Sequence, residues 1–276
     1  MEVEQETSLT PGLTDSPEIK ACCATAYQSD WARLLLGDSF HPGGLALTER
    51  LGTLLNLSPG KRVLDVATGQ GASAIFLAQR FGCDVIGIDF GDASIQVATT
   101  AANAAGVAHL TRFQQGDAET LVGIDDSAFD AVICECAFCT FPDKPAATGQ
   151  FMRVLRPGGR VALSDLTRAG ETPESLQGLL AWIACIADAQ PIEEYTRYFE
   201  EAGFYITLTE AHDEALLSMV RDIRGNLLGT ELLARLKRLD LPGADFEQAK
   251  ALARAAFEAV QRKRFGYALI VASKSG

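Results

Sequence analysis

A chain of 276 residues, 47% of them hydrophobic, can bury one substantial core with a helical appendage. Its formal charge of −12 offers no basic face to a phosphate backbone, which excludes nucleic acid as the expected substrate and favours a small molecule. No apolar run approaches the roughly 18 residues of a membrane span, and the polar start MEVEQETSLT is unlike a signal peptide. Seven cysteines without an export signal read as reduced thiols, and the expected compartment is the cytosol.

Residues 1 to 15 are polar and read as frayed. Ser16 as N-cap, Pro17 at the first helical position and Glu18 at the positive dipole end predict a helix stopping at Gly37. Ile19, Cys22 or Cys23, Ala26 or Tyr27, and Leu34 fall on its apolar stripe. A turn at His41-Pro42-Gly43-Gly44 precedes a leucine-rich helix ending near Leu57, so residues 1–57 form an expected helical cap on a domain of residues 58–276. From Arg62 to Leu166 strands alternate with helices, the pattern of five parallel strands in a doubly wound α/β sheet. Then come a helix from Pro173 to about Ala189, another from Pro191 to Ala202, and a strand from Phe204 to Ala211. Two helices between Asp213 and Lys263, separated at Leu241-Pro242-Gly243, lead to a strand from Gly266 to Ala272. The result is a seven-stranded, mostly parallel sheet whose last two strands are antiparallel neighbours. Its helical insertion, about 213–263, reads as a lid or an oligomer surface, with the oligomeric state left open.

The stretch from Arg62 to Phe90, RVLDVATGQGASAIFLAQRFGCDVIGIDF, carries the densest signal. Val63, Leu64 and Val66 make an apolar strand bearing Asp65. The chain turns through Ala67, Thr68, Gly69 and Gly71 into a helix whose apolar face reads as Ile75, Phe76 and Ala78. A second strand, Val85 to Ile88, ends on Asp89, about twenty residues beyond the glycines, where a carboxylate accepts hydrogen bonds from both ribose hydroxyls. A dinucleotide site would want G-x-G-x-x-G, so that backbone amides close on a pyrophosphate. Here Ala67 stands at the first glycine, and Asp65 would repel a pyrophosphate but attract a cationic amino group. These residues favour S-adenosylmethionine over NAD.

The glycine turn resembles the first motif of the class I methyltransferases, in the D-x-A-T-G-x-G variant also found in ubiquinone and menaquinone methyltransferases. Three more blocks follow in the same order. Gln115-Gly116-Asp117-Ala118-Glu119 resembles the segment whose aspartate contacts the adenine amino group, Phe129 to Ile133 resembles strand four, and Arg153 to Arg160 resembles the turn into strand five. The resemblance implies a Rossmann-like fold holding S-adenosylmethionine on Asp65, Ala67, Thr68, Gly69, Gly71, Asp89, Phe90, Asp117 and Ala118, with Cys134 as a neighbour at the strand-four tip.

Ligands of a doubly wound sheet bind outside the carboxyl ends of the strands. The segment after strand four, Cys134-Glu135-Cys136-Ala137-Phe138-Cys139-Thr140-Phe141-Pro142-Asp143-Lys144, puts three thiols in six residues. It resembles the arsenite methyltransferase family, whose corresponding segment has the form I-S-N-C-V-x-N-L-x-x-D-K and is followed by a serine-aspartate strand end, here Ser164-Asp165. The resemblance implies that Cys136 and Cys185 bind arsenic and that Cys22 or Cys23 takes part in thiol exchange. Where that family carries Y-Y-G-C-G, this chain has Leu35-Leu36-Gly37-Asp38-Ser39, and Asp38 does not replace a soft thiolate. Either two thiolates suffice, with Cys22, Cys23 or a small external thiol as third ligand, or the substrate differs. After Asp213 there is no match.

Trivalent arsenic binds thiolates and keeps a lone pair directed away from its sulfurs. That lone pair is the nucleophile. No proton leaves it, so the protein needs to supply alignment and not a general base. The expected activity is S-adenosylmethionine-dependent methylation of thiolate-bound arsenite, with a small thiol as reductant and monomethylation dominant. Transfer to carbon, oxygen or sulfur of a small organic metabolite is one alternative, and metalloid binding without turnover is another. Cysteine is among the most buried residue types, so Cys83 and Cys139 read first as packing. His41 reads equally as a turn residue or a cofactor wall.

Overall fold

The computed structural model describes Lys20, Thr25, Leu34, Leu35 and residues 40–176, 185–186, 188–236 and 245–276. Most of the expected helix over residues 16–37 lies outside the described residues, as do Cys22, Cys23, Asp38 and the Leu241-Pro242-Gly243 separator.

The described elements run α1 (Gly44–Leu54), β1 (Arg62–Val66), α2 (Ala72–Phe81), β2 (Asp84–Asp89), α3 (Asp92–Ala104), β3 (Thr111–Gln115) and β4 (Phe129–Glu135). A 3₁₀ turn (Phe138–Thr140), α4 (Lys144–Val154), β5 (Leu155–Arg168) and α5 (Ile192–Glu201) follow, then β6 (Tyr205–Ala211), α6 (Asp213–Arg235), α7 (Phe246–Gln261) and β7 (Phe265–Ser273). The seven strands form one sheet in the order β3-β2-β1-β4-β5-β7-β6. The first five strands pair in parallel. β7 is antiparallel to both β5 and β6. The doubly wound, mostly parallel sheet expected from the alternation is therefore the fold.

Successive side chains of a strand point to opposite faces, and both faces are covered. Val63, Val85, Ile133 and Leu269 pack with α1, α2, α6 and α7 on one side. Leu64, Val66, Ile88 and Val132 pack with α4 and α5 on the other. α1 therefore belongs to the main core, and the paired helices α6 and α7 bury Leu216, Val220, Ala256 and Val260 against the sheet.

Two sequence expectations need correction. The buried stripe of α2 is Ser73, Ala74, Leu77 and Ala78, while Ile75 and Phe76 are only half-buried. Periodicity locates a stripe, but α2 also packs against α1, where Gly52 leaves room for Phe81 and Leu77, and this turns the fully buried face. The helix expected to run to about Ala189 does not. Glu174–Leu176 is a 3₁₀ turn, Cys185 sits in a turn, and Gln190 forms a parallel bridge with Thr167 at the end of β5.

Strand order reverses direction between β1 and β4, and the crevice outside the carboxyl ends of such a pair is the natural ligand site.

Candidate active site

The cleft at that switch point is walled by the ends of β1, β2 and β4, and its lining includes Asp65, Ala67, Thr68, Gly69, Asp89, Phe90, Asp117 and Ala118. Thr68 N–H donates to Ile88 carbonyl (2.9 Å) and Gly71 N–H to Thr68 carbonyl (2.9 Å), which closes the turn between β1 and α2. Gly71 does not line the cleft. Its φ is +82°, and a Cβ there would lie 2.8 Å from the Ala98 Cβ, so glycine is needed for the close approach of α2. Ala67 holds a left-handed φ of +57° without being glycine, a strained conformation that tends to collect at functional sites.

The Asp89 carboxylate accepts from Gly69 N–H (2.9 Å) and Gly91 N–H (2.8 Å), which fixes it at the tip of β2. Burial raises its pKa, and those two amides oppose the shift. Asp65 accepts from the Thr68 hydroxyl at 2.5 Å. Burial pushes its pKa up to about 8, the Thr68 bond counters, and the negative charges of Glu135 and Asp89 add to the rise. A cation beside such a carboxyl would be stabilised by, and would favour, its ionised form.

Three more side chains complete this end of the cleft: Glu135 and Lys20, which the sequence left unassigned, and His41, which it left open between a turn residue and a cofactor wall. Glu135, at the end of β4, accepts from Thr48 (3.1 and 3.2 Å) and Ser73 (2.5 Å) hydroxyls. His41 Nδ1 lies 3.7 Å from it, and both Glu135 and His41 line the cleft. Lys20 pairs with Asp117 at 2.8 Å and also with Glu119, so the carboxylate expected to meet the adenine is held by an ammonium here. Nothing local announced these contacts, because Lys20 and Asp117 are 97 residues apart and Thr48 and Glu135 are 87 apart.

Three thiols gather beyond the end of β4. Cys136 follows β4 with a left-handed φ of +53° and faces the cleft. Cys185, 49 residues later, has φ +61° and is 2% exposed behind it. The Cys185 thiol donates to the Cys136 carbonyl at 3.4 Å and makes side-chain hydrogen-bonding contact with the thiols of both Cys136 and Cys139. Contact with Cys185, followed by burial, raises the Cys136 pKa well above the usual thiol value, and burial, followed by the same contact, does so for Cys139. These thiols are protonated at neutral pH. Cys134 does not line the cleft. Its side chain is fully buried in the core. Cys83 is fully buried too, as packing predicts.

Polar groups tie the two thiol-bearing segments together. Asp165, at the end of β5, accepts from Cys139 N–H (2.9 Å) and from Leu166 N–H (2.7 Å), and burial pushes its pKa up to about 7. The buried ammonium of Lys144 donates to the carbonyls of Cys139 (3.1 Å) and Phe141 (3.0 Å) and to the carboxylate of Asp188, three residues after Cys185. Arg168 donates to Ala189 carbonyl (2.7 Å), and Tyr195 donates to Leu166 carbonyl (3.0 Å) and accepts from Gln190 N–H (3.1 Å). Among the described residues, no three His, Cys, Asp or Glu side chains stand at metal-ion ligand spacing, and no helix is long and apolar enough to cross a membrane.

The chain places a glycine turn and acid-ended strands round a switch-point cleft, the place where a doubly wound sheet takes its ligand. Residues 57–203, over half the chain, match the methyltransferase domain family, and the chain belongs to it. Phosphoethanolamine N-methyltransferase 3 of Arabidopsis thaliana is 29% identical over 189 residues, 68% of this chain and 38% of that protein. Arsenite methyltransferase of Halobacterium salinarum is 32% identical over 162 residues, 58% of this chain and 41% of its relative. The chain thus spans well under half the length of these curated relatives. Haemonchus contortus phosphoethanolamine N-methyltransferase 2, solved with phosphomonomethylethanolamine and S-adenosylhomocysteine, superposes with a TM-score of 0.76 at 18% identity, over 92% of this chain and 58% of that one. Phosphoethanolamine and arsenite are chemically unlike, so likeness defines the fold and the methyl donor and leaves the acceptor to the site.

Proposed function

We propose that this methyltransferase acts on thiolate-bound trivalent arsenic, with Cys136 and Cys185 as ligands. The reading is carried by one observation: two cysteines 49 residues apart, both on left-handed backbone, meet thiol to thiol where Cys136 enters the wall of the donor cleft.

The donor set of the cleft fits S-adenosylmethionine. Asp89 offers a fixed carboxylate for a ribose diol, Asp117 an acceptor for the adenine amino group, and Asp65 with Glu135 two acids for the cationic methionine end. When bound, this cofactor supplies an electrophilic methyl group on a sulfonium. The chain's part is to hold a soft nucleophile in line and to keep the corner dry. The backbone pins on Cys139 and Ala189 and the burial of Cys185 serve both ends. Arsenic held by Cys136 and Cys185 would present its lone pair to that methyl group, and the charge gained on methylation would then lie on arsenic. No proton is lost by the attacking atom. Returning arsenic to the trivalent state takes two electrons from two thiols, which become a disulfide, and a small external thiol would reduce it.

A second reading is favoured by Glu135. The arsenite methyltransferase segment has an amide at that position, whereas here a buried carboxylate stands beside His41. A protic acceptor on a small organic metabolite must shed a proton, and this pair is placed to take it.

The deciding experiment incubates the protein with S-adenosylmethionine, glutathione and arsenite, and separates arsenic species by liquid chromatography with elemental detection. Methylated arsenic is expected, monomethylated species dominating, and Cys136→Ser or Cys185→Ser should abolish it. Unchanged arsenite from protein that binds the cofactor would reject the reading. Methylation of an organic acceptor that survives both serine substitutions would establish the second.

A further inference from the structure

Cys136 and Cys185 supply two sulfurs, and the position that carries a third thiol in the resembled family is Asp38 here. We infer that Cys139 is the third sulfur ligand, so that Cys136, Cys185 and Cys139 together hold inorganic As(III) as a neutral trithiolate. The inference rests on the arsenite reading above and deepens it.

Cys185 is the middle of the thiol cluster, in contact with Cys136 on one side and Cys139 on the other. Cys139 sits on the 3₁₀ turn, 1% exposed, with its N–H held by Asp165 and its carbonyl by Lys144. The same Lys144 ammonium grips Asp188, so one cation sets the spacing between the turn and the segment of Cys185. In I-S-N-C-V-x-N-L, the segment this stretch resembles, Asn occupies the place of Cys139. The thiol missing at Asp38 is thus matched by one gained beside the pair.

Charge decides which ligand suits such a cluster. Three thiols exchange with arsenous acid by As(OH)₃ + 3 RSH → As(SR)₃ + 3 H₂O. Three S–H and three As–O bonds break, three As–S and three O–H bonds form, and nothing is oxidised. Each thiol proton leaves in water with a hydroxide that arsenic brought, and the product carries no net charge into the buried corner. A divalent cation on the same three thiolates would leave a net negative charge there, beside the Asp165 carboxyl, and would expel protons to solvent. As placed, the thiols form a chain and not a pyramid, in keeping with the absence of a three-ligand group at metal spacing among the described residues. One χ1 torsion moves each sulfur, and gathering the three round arsenic is the adjustment the site must make. Cys136, which faces the cleft, is the entry ligand.

The test uses two probes on the reduced full-length protein. Arsenite has three exchangeable positions, and phenylarsine oxide, with one fixed As–C bond, has two. Binding is read by thiolate-to-arsenic ultraviolet absorption, and coordination by arsenic K-edge absorption. Wild type should show three sulfur neighbours around arsenite. Cys139→Ser and Cys139→Ala should each weaken arsenite by about tenfold or more, show two sulfurs and one oxygen, and bind phenylarsine oxide within about twofold of wild type. Cys185→Ser should lose both probes. Wild-type arsenite binding in the Cys139 variants would overturn the third-ligand assignment and leave the Cys136–Cys185 pair standing. Loss of both probes in those variants, with cofactor binding intact, would overturn it too, because a third ligand is dispensable to a two-site probe. Arsenite binding unchanged in Cys136→Ser and Cys185→Ser would reject the arsenite reading itself.

Discussion

The two ends of the cleft are built by different means. At the donor end, Asp65, the glycine turn and Asp89 lie within 25 consecutive residues, and backbone amides orient the Asp89 carboxylate. At the acceptor end the thiols come from two segments 49 residues apart and are brought together by the β4 and β5 tips and by Lys144, Asp165, Arg168 and Tyr195. The first is local grammar; the second is assembled by topology. Such a division lets a doubly wound sheet keep one donor site and change acceptors by altering the loops at the strand ends.

If the two ends are independent, substitutions should separate them cleanly. Asp89→Ala removes a carboxylate with two backbone bonds and leaves both amides unsatisfied, a loss of about 2–4 kcal/mol and a cofactor affinity lower by roughly 30-fold or more. Cys185→Ser should leave S-adenosylhomocysteine binding within about twofold and abolish arsenite binding. Calorimetric titration of both variants with both ligands makes the comparison, and a crossed effect, with Cys185→Ser losing the cofactor, would break it.

A smaller effect is expected at Lys144. Methionine there keeps the buried stem but removes the bonds to two carbonyls and Asp188, at a cost of about 1–3 kcal/mol in stability. Freed from that grip, the turn and the Cys185 segment should hold phenylarsine oxide about tenfold less tightly, while cofactor affinity stays as in wild type. Equal losses of both ligands would mean that Lys144 supports the whole fold and not the thiol corner.

The same division explains what the sequence disclosed. The succession of strands and helices and the donor turn were legible because their signals are periodicity, a glycine turn and an acid at fixed spacing. Cys136 and Cys185 were reachable only through resemblance, since no spacing rule links residues 49 apart. Glu135 and Lys20 gave no local signal, His41 stayed open between turn and cofactor wall, and Lys144 was reached only through resemblance. Each is a polar side chain whose role depends on a partner delivered by another element: Thr48, Ser73, Asp117 or Asp188. The misread α2 face has the same origin, because the second surface packed against it belongs to α1. Helix expected through Cys185 gave way to a turn for a related reason, the segment being stitched to the end of β5 by Arg168 and Tyr195.

Proton linkage supplies the finest test of the comparison. The donor cleft holds two carboxyls that burial pushes up in pKa, Asp89 and Asp65, the latter up to about 8, and Asp165 beneath the thiols is pushed up to about 7. In the unfolded chain Asp65 and Asp165 titrate near the ordinary value of about 3.9. Below that pH both states hold the proton and the contribution to stability is fully present. As pH rises, the unfolded chain ionises first and the folded protein keeps its protons, so stability falls until pH passes about 7 for Asp165 and about 8 for Asp65. The loss is on the order of a few kcal/mol per group. Melting temperature of the unliganded protein should therefore drop between pH 5 and pH 8, and Asp65→Asn or Asp165→Asn should each flatten part of the slope. Saturating S-adenosylhomocysteine, whose ammonium favours ionised Asp65, should flatten the Asp65 share and leave the Asp165 share in place. A slope unchanged by Asp65→Asn, or a cofactor effect that persists in full without Asp65, would show that the cationic end of the donor is read by Glu135 alone.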